Sequence, residues 1–286
     1  MSTPGAPRFT PDWLALRESA DAAARAPELL GPLRAYLATV PRGTEPLVIR
    51  DLGCGTGSLG RWLAGRLRGP QHWILHDRDP ELLARAGAGM PGTAADGSPV
   101  TVETWEGDLT GLRAADLAGT SLVTASALLD LLTFDEVDGL AAACVEAGCP
   151  ALLTLSVVGK VELTPADPLD VEVAAAFDAH QRRRASGRRL LGPDAVTVTT
   201  DAFERRGAVV RSRPSPWRLG ADQAALTAEW LQGWVTAAFD QRPDLALQGD
   251  TYLRGRLDAC AAGELRVLVH HRDLLALPGL SADDSP

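Results

Sequence analysis

Val48-Ile49-Arg50-Asp51-Leu52-Gly53-Cys54-Gly55-Thr56-Gly57 is an apolar stretch that runs into three closely spaced glycines. Beyond it, Leu59, Trp62, Leu63 and Leu67 recur at helical spacing, so the unit reads as strand, glycine turn and helix. Glycines let the backbone turn sharply and approach a ligand with no Cβ in the way. The first turn of the following helix offers free amide hydrogens to that ligand.

Outward from this unit the chain alternates short apolar runs with helical stretches, the pattern of a parallel sheet covered on both faces. Strands are expected at 46–52, 72–76, 100–105, 121–125 and 151–158, with a helix carrying Leu82, Leu83 and Ala86 and another over 135–147. Upstream, the first forty or so residues read as helix, broken by Pro41, Arg42 and Gly43. Downstream the alternation lapses: 160–190 is an acidic, proline-containing segment that ends in the arginine-rich stretch Phe177 to Arg189. A helix near 193–206, a strand near 207–213, a helical stretch near 222–260 and a strand near 264–270 complete seven strands. Segments 160–190 and 222–260 are candidate substrate-covering elements, because long additions sit at functional edges. The tail from Ser281 reads as mobile.

Two ligands fit the glycine turn. Gly55-x-Gly57-x-x-Gly60 satisfies the dinucleotide pattern GxGxxG, and Asp77 falls about twenty residues on, where a ribose-binding acid is expected for either ligand. Register separates them. In a dinucleotide site the first glycine of GxGxxG closely follows the strand, whereas here Gly53 already ends the strand and Asp51 precedes it.

The string Asp-Leu-Gly-Cys-Gly-Thr-Gly resembles the first motif of class I S-adenosylmethionine-dependent methyltransferases. Ile74-Leu75-His76-Asp77-Arg78-Asp79-Pro80 is similar to that family's second strand, which ends in an acid. Glu106-Gly107-Asp108-Leu109 is similar to its adenine-reading turn, and Leu122 to Asp130 to its fourth strand and exit. The resemblance covers about residues 46–158. It implies that Asp51 helps hold the aminoacyl end of the cofactor, and that Gly53, Gly55 and Gly57 admit the ribose and methionine portion. It further implies that Asp77 accepts the ribose hydroxyls, that Arg78 lies near the adenine, that Asp108 and Leu109 read the base, and that Ser126 lies at the methionine end. The implied fold is α/β: a Rossmann-like, seven-stranded, mostly parallel sheet with helices on both faces and an antiparallel last strand. On this reading residues 1–286 form one domain, with a helical cap at 1–43, a cofactor-binding core at 44–158, and a substrate-side half at 159–286 that carries the helical insertions.

Composition narrows the partners. A formal net charge of −9 opposes the attraction that nucleic acid requires, so the expected partner is a small-molecule methyl acceptor. No apolar run is long enough to span a bilayer, and the first ten residues lack the features of a secretory signal, so a cytoplasmic protein is expected. Cys54, Cys144, Cys149 and Cys260 form no close pair, and His270 and His271 have no cysteine or carboxylate cluster beside them, so no metal is assigned.

Methyl transfer from a sulfonium needs alignment, exclusion of water and, for a protonated acceptor, a base. Asp130 is the first candidate, just past the fourth strand at the carboxyl edge of the sheet. His180 is the second, in the first additional segment. Trp13, Trp217, Trp230 and Trp234 offer aromatic surfaces in the expected cap and additions, and Arg17 and Arg25 are in reach of a cofactor carboxylate. Two other readings remain: an NAD(P)-dependent oxidoreductase using the overlapping GxGxxG, and an S-adenosylmethionine-binding partner protein with no transfer activity.

Overall fold

The computed structural model describes residues 9–39, 45–109, 111–185 and 187–279. The expected break at Pro41–Gly43 and the tail from Ser281 lie outside the described residues.

The N-terminal segment is two helices rather than one. Helix α1 (Pro11–Ala24) starts with Pro11 in its first turn and is capped by Thr10, whose Oγ1 accepts from Trp13 N at 3.2 Å. It stops because Pro27 drives the residue before it out of the helical region, leaving Arg25 and Ala26 extended before a tight turn at Pro27–Leu29. Helix α2 (Leu30–Thr39) then buries Leu30, Leu33 and Leu37.

Strands β1 (Leu47–Leu52), β2 (Gln71–Asp77), β3 (Val100–Glu106), β4 (Leu122–Ser126) and β5 (Ala151–Thr164) pair in parallel, in the order β3-β2-β1-β4-β5. Helices α3 (Ser58–Ala64), α4 (Pro80–Gly89) and α5 (Phe134–Glu146) connect them. After β5 come α6 (Asp170–Gln181), a two-stranded ribbon of β6 (Arg184–Ala185) and β7 (Arg188–Arg189), and α7 (Ala195–Glu204). Strands β8 (Val209–Pro214) and β9 (Trp217–Leu219), helices α8 (Ala224–Gln241) and α9 (Ala246–Ala261), and strand β10 (Arg266–Leu277) complete the described chain. Strand β10 inserts between β5 and β8, antiparallel to both. The mostly parallel sheet with an antiparallel last strand is therefore present, along a seven-strand path to which β9 adds a short eighth strand beside β10.

Two differences from the sequence reading have a common cause. Residues 160–164, read as the start of an acidic, proline-containing segment, continue β5, and β10 runs to Leu277 instead of ending near 270. Each strand gains a pairing partner in the other, with register shifts between Val269 and His271 and between Arg272 and Leu274 that let the long ribbon bend. Its outer part carries Leu163, Val267 and Val269, which pack with Trp217, Leu219, Leu231 and Trp234 in an apolar core of their own beneath α6, α8 and α9. Trp217, grouped with the expected cap and additions, sits on the short strand β9.

The central sheet has one core on each face. Leu33, Ile49, Leu63, Trp73 and Leu75 pack with α2, α3 and α4, while Val123, Leu153, Leu274 and Phe203 pack with α5 and α7. No helix among the described residues is long and apolar enough to cross a membrane.

Leu33 is fully buried where α2 meets the sheet. Leu33→Ala is expected to cost about 2–5 kcal/mol through lost transfer energy and the cavity left behind. Urea unfolding would show a lower midpoint with an unchanged slope.

Candidate functional site

The turn after β1 is left-handed at Gly53, Gly55 and Gly57, with φ of +61°, +55° and +84°. At Gly57 a Cβ would also stand 3.2 Å from the backbone of Ala86 on α4, so glycine is required on both counts. Cys54 N donates to His76 O at 2.9 Å, tying the turn to the end of β2. One residue on, Asp77 Oδ2 accepts Gly55 N at 2.9 Å and Oδ1 accepts Asp79 N at 3.0 Å. Asp77 thus locks the two strand exits together, and each of its oxygens keeps a lone pair for another donor. The neighbouring exit, from β3, is held by Gly107 N donating to Asp77 O at 3.1 Å.

Asp51 is the buried charge of β1, only 1% exposed. Parallel register places it beside Thr124 on β4, whose hydroxyl donates to Oδ1 at 2.7 Å, while Oδ2 has no partner. Burial pushes its carboxyl up to about 7, against the opposing pull of Thr124 and Arg25 and with a further push from Asp77. Arg25, on the extended link after α1, is equally deep: Nη2 donates to Ser58 Oγ at 3.0 Å and Ser126 Oγ at 3.3 Å, and Nε and Nη1 have no partner. Burial lowers its pKa, and Asp21, Asp273 and Asp51 counter that.

These groups surround a cavity of about 590 Å³. Asp51, Gly53, Gly55, Asp77, Arg78, Asp108, Leu109 and Ser126, all anticipated as cofactor residues, line it. Gly57 does not, and instead turns the chain into α3. The wall is completed by Phe9, Leu14 and Arg17 from the N-terminal segment, by Leu128, Leu131 and Leu132 after β4, and by Arg188 and Leu190 from the ribbon. Arg188 is steadied by Glu136, at 2.5 Å, and Glu136 also closes the capping box of α5 by accepting Thr133 N at 2.8 Å.

Helix α1 lies over the glycine turn, so that a Cβ on Gly55 would meet Leu14 Cδ1 at 3.2 Å. Glu18 grips Arg61 of α3 through two bonds of 2.7 and 2.6 Å, and Arg61 Nη1 reaches Thr56 O at 2.5 Å. On its other side, Asp21 pairs with Arg17 at 3.0 Å and accepts Trp217 Nε1 at 2.9 Å. The Arg17 guanidinium stands over the rings of Trp217 and Trp13, at 4.8 and 5.9 Å from their centroids.

The two candidate bases differ in placement. Asp130 is half-buried in the turn whose Leu128, Leu131 and Leu132 line the cavity, but is not itself a lining residue. Burial raises its carboxyl to about 6, while its own backbone amide, Arg17 and Arg183 pull it down. His180 is near the end of α6, off the cavity wall, with its pKa lowered by burial and by Arg183 and raised by Asp240. Of the aromatic candidates, Trp13 edges onto Trp217 with ring centroids 6.5 Å apart, and Trp230 stacks on Trp234 at 5.1 Å, all within the outer core. Sequence reasoning missed Ser58, Thr124, Arg188 and Asp273, since each acts through a partner distant in the chain.

No family model matches the chain, and no curated protein matches it. Solved structures do. The chain is similar to a cyclopropane synthase from Mycobacterium tuberculosis, at 13% identity over 94% of each chain and a TM-score of 0.48. It is similar to an S-adenosylmethionine-dependent methyltransferase from Thiobacillus denitrificans in complex with S-adenosylhomocysteine, at 18% identity, 96% of this chain, 100% of that one, and a TM-score of 0.45. A methyltransferase from Geobacter sulfurreducens, also in complex with S-adenosylhomocysteine, matches at 20% identity over 94% of this chain and 99% of that one, with a TM-score of 0.41.

The folded chain keeps the Asp51 proton up to about pH 7, whereas the ordinary value is 3.8, so the ligand-free protein loses stability as pH rises through that interval. Asp51→Asn removes this loss. The variant is expected to melt above the wild type at pH 8, with the difference shrinking toward pH 4 in parallel thermal scans.

Proposed function

We propose that the chain is an S-adenosylmethionine-dependent methyltransferase acting on a small molecule. The observation that carries this reading is the pairing of Asp51, whose buried Oδ2 lacks a donor, with Asp77 across the glycine turn, both on one cavity wall. A buried unpaired carboxylate oxygen suits an ammonium group. Asp77 has lone pairs left for the ribose hydroxyls, and the turn beginning at Glu106 suits an adenine edge. The residues present therefore fit the cofactor, which when bound supplies a methyl carbon on a sulfonium.

The chain's own contribution is binding, alignment and dryness. Leu14, Leu128, Leu131, Leu132 and Leu190 give the wall an apolar stretch, bordered by Arg17 and Arg188, that keeps water from the acceptor. Helix α1 closes over the glycine turn through Glu18 and Arg61. Asp130 is the proposed base: its carboxyl, raised to about 6 by burial, is ionised at neutral pH and is a better proton acceptor than an ordinary aspartate. Neither Asp130 nor His180 lines the cavity; Asp130 lies in a turn whose Leu128, Leu131 and Leu132 do, whereas His180 is on α6, none of whose residues lines it, which makes His180 the weaker candidate.

Calorimetric titration with S-adenosylhomocysteine, S-adenosylmethionine and NADH tests the cofactor. Micromolar binding of the adenosyl ligands with NADH silent supports the reading, and the reverse pattern replaces it with the oxidoreductase alternative. In a folded Asp77→Ala variant, loss of charge-assisted hydrogen bonds should weaken S-adenosylhomocysteine by about 2 kcal/mol or more. Unchanged affinity would remove Asp77 from the site.

Turnover with an acceptor that must lose a proton should rise as pH passes about 6 and level off above it, because Asp130 accepts a proton only when ionised. Asp130→Asn should cut turnover by about 100-fold or more and abolish that limb, with S-adenosylhomocysteine affinity unchanged. An intact limb in the variant would clear Asp130.

A further inference from the structure

Arg25 is 2% exposed and does not line the cavity, yet both serines it touches do. A hydroxyl that accepts a hydrogen bond from a guanidinium still has its own proton to give. Ser58 on α3 and Ser126 at the end of β4 can therefore each point an O–H donor into the cavity, with a fixed positive charge behind them. Asp51, reached by the same cation's field, offers an unpartnered oxygen on the same wall. Paired donors beside a lone acceptor are complementary to an α-amino acid, which presents a carboxylate next to an ammonium.

Arg25 is held from behind. Asp273 on β10, 1% exposed, accepts Ala26 N on Oδ2 at 2.9 Å and Leu155 N on Oδ1 at 2.8 Å. Ala26 is the residue after Arg25, so this bond sets where the extended link lies. Leu155 has φ of +56°, a left-handed value that is unusual for leucine, and its N–H is the one turned onto Asp273. One carboxylate thus clamps the link after α1 to the middle of β5.

Resting on the S-adenosylmethionine reading, we propose that Arg25 is a positioning residue that makes Ser58 and Ser126 paired donors to the carboxylate of the cofactor's amino-acid end. Asp273 holds Arg25 in that place. The competing role for Arg25 is purely structural, as the cation that neutralises Asp21, Asp51 and Asp273.

The two roles separate with a pair of ligands. S-adenosylhomocysteine carries the amino-acid end, and 5′-methylthioadenosine has the same adenosyl thioether without it. Calorimetry on the full chain should show the first binding wild type at least tenfold more tightly. In Ser58→Ala/Ser126→Ala, which removes no charge, S-adenosylhomocysteine should weaken at least tenfold while 5′-methylthioadenosine stays within twofold. Asp273→Asn, checked for folding by its thermal transition, should weaken the same ligand selectively. Arg25→Gln leaves Asp51 and Asp273 buried without their cation and is read only beside the double serine variant. The proposal is overturned if the double serine variant binds S-adenosylhomocysteine normally, or if both ligands weaken together in Asp273→Asn. Equal affinity of wild type for the two ligands would sink it alone and leave the cofactor reading standing. Binding of neither ligand to wild type would end both.

Discussion

A guanidinium withdrawn from water has to be met by carboxylates and acceptors, and the centre of this protein is arranged around that requirement at Arg25. The groups that meet it come from every part of the chain: Asp21 from α1, Asp51 from β1, Ser58 from α3, Ser126 from β4 and Asp273 from β10. Moving any of these elements would strand a buried charge. The compensation is lopsided, since three carboxylates share Arg25 with only Arg17 close to Asp21. Burial raises the proton affinity of Asp51 despite Thr124 and Arg25, and a cationic ligand group beside its unpartnered Oδ2 would relieve it.

The two halves of the chain divide the remaining work. In the parallel half, β1, β2 and β3 bring a glycine turn, Asp77 and the 106–109 turn to one edge, which is where open α/β sheets bind ligands. The other half lengthens β5 and β10 beyond that sheet and uses the extension to carry α6, α8 and α9 on a separate apolar core. Their contribution reaches the cavity indirectly. Trp217 steadies Asp21 and Arg17, and the β6–β7 ribbon brings in Arg188 and Leu190.

What could be read in the sequence was what local periodicity and spacing encode. The strand ending at Leu52, the glycines after it, and Asp77 at the end of the next strand announce themselves because a parallel strand is short, apolar and followed by a stereotyped turn. Asp108, Leu109 and Ser126 come from the resemblance of the stretches after β3 and in β4 to methyltransferase motifs, and all three line the cavity. The strand extensions past Val158 and His270 were not legible, since Lys160 and Glu162 or Arg272 and Asp273 look like loop residues until the partner strand is known. The Arg25 cluster was less legible still. Arg25 could be picked out on the N-terminal segment, but its relation to Ser58, Ser126 and Asp273 joins residues far apart in the chain, and no window of sequence contains that information.

The bond from Ala26 N to Asp273 has a consequence for how the molecule is made. Its ends are 247 residues apart, nearly the greatest separation the described chain allows. Closing a loop that long is entropically costly, and it has no reward until the last strand has threaded between β5 and β8. A nascent chain can assemble β1 to β4 and their helices, with Glu18 of α1 already holding Arg61, but the link after α1 finds this anchor only after residue 273 has been made. The ligand site is therefore completed only once that strand is in place, and a chain cut short of it would carry the whole glycine turn and still lack the anchor that fixes Arg25.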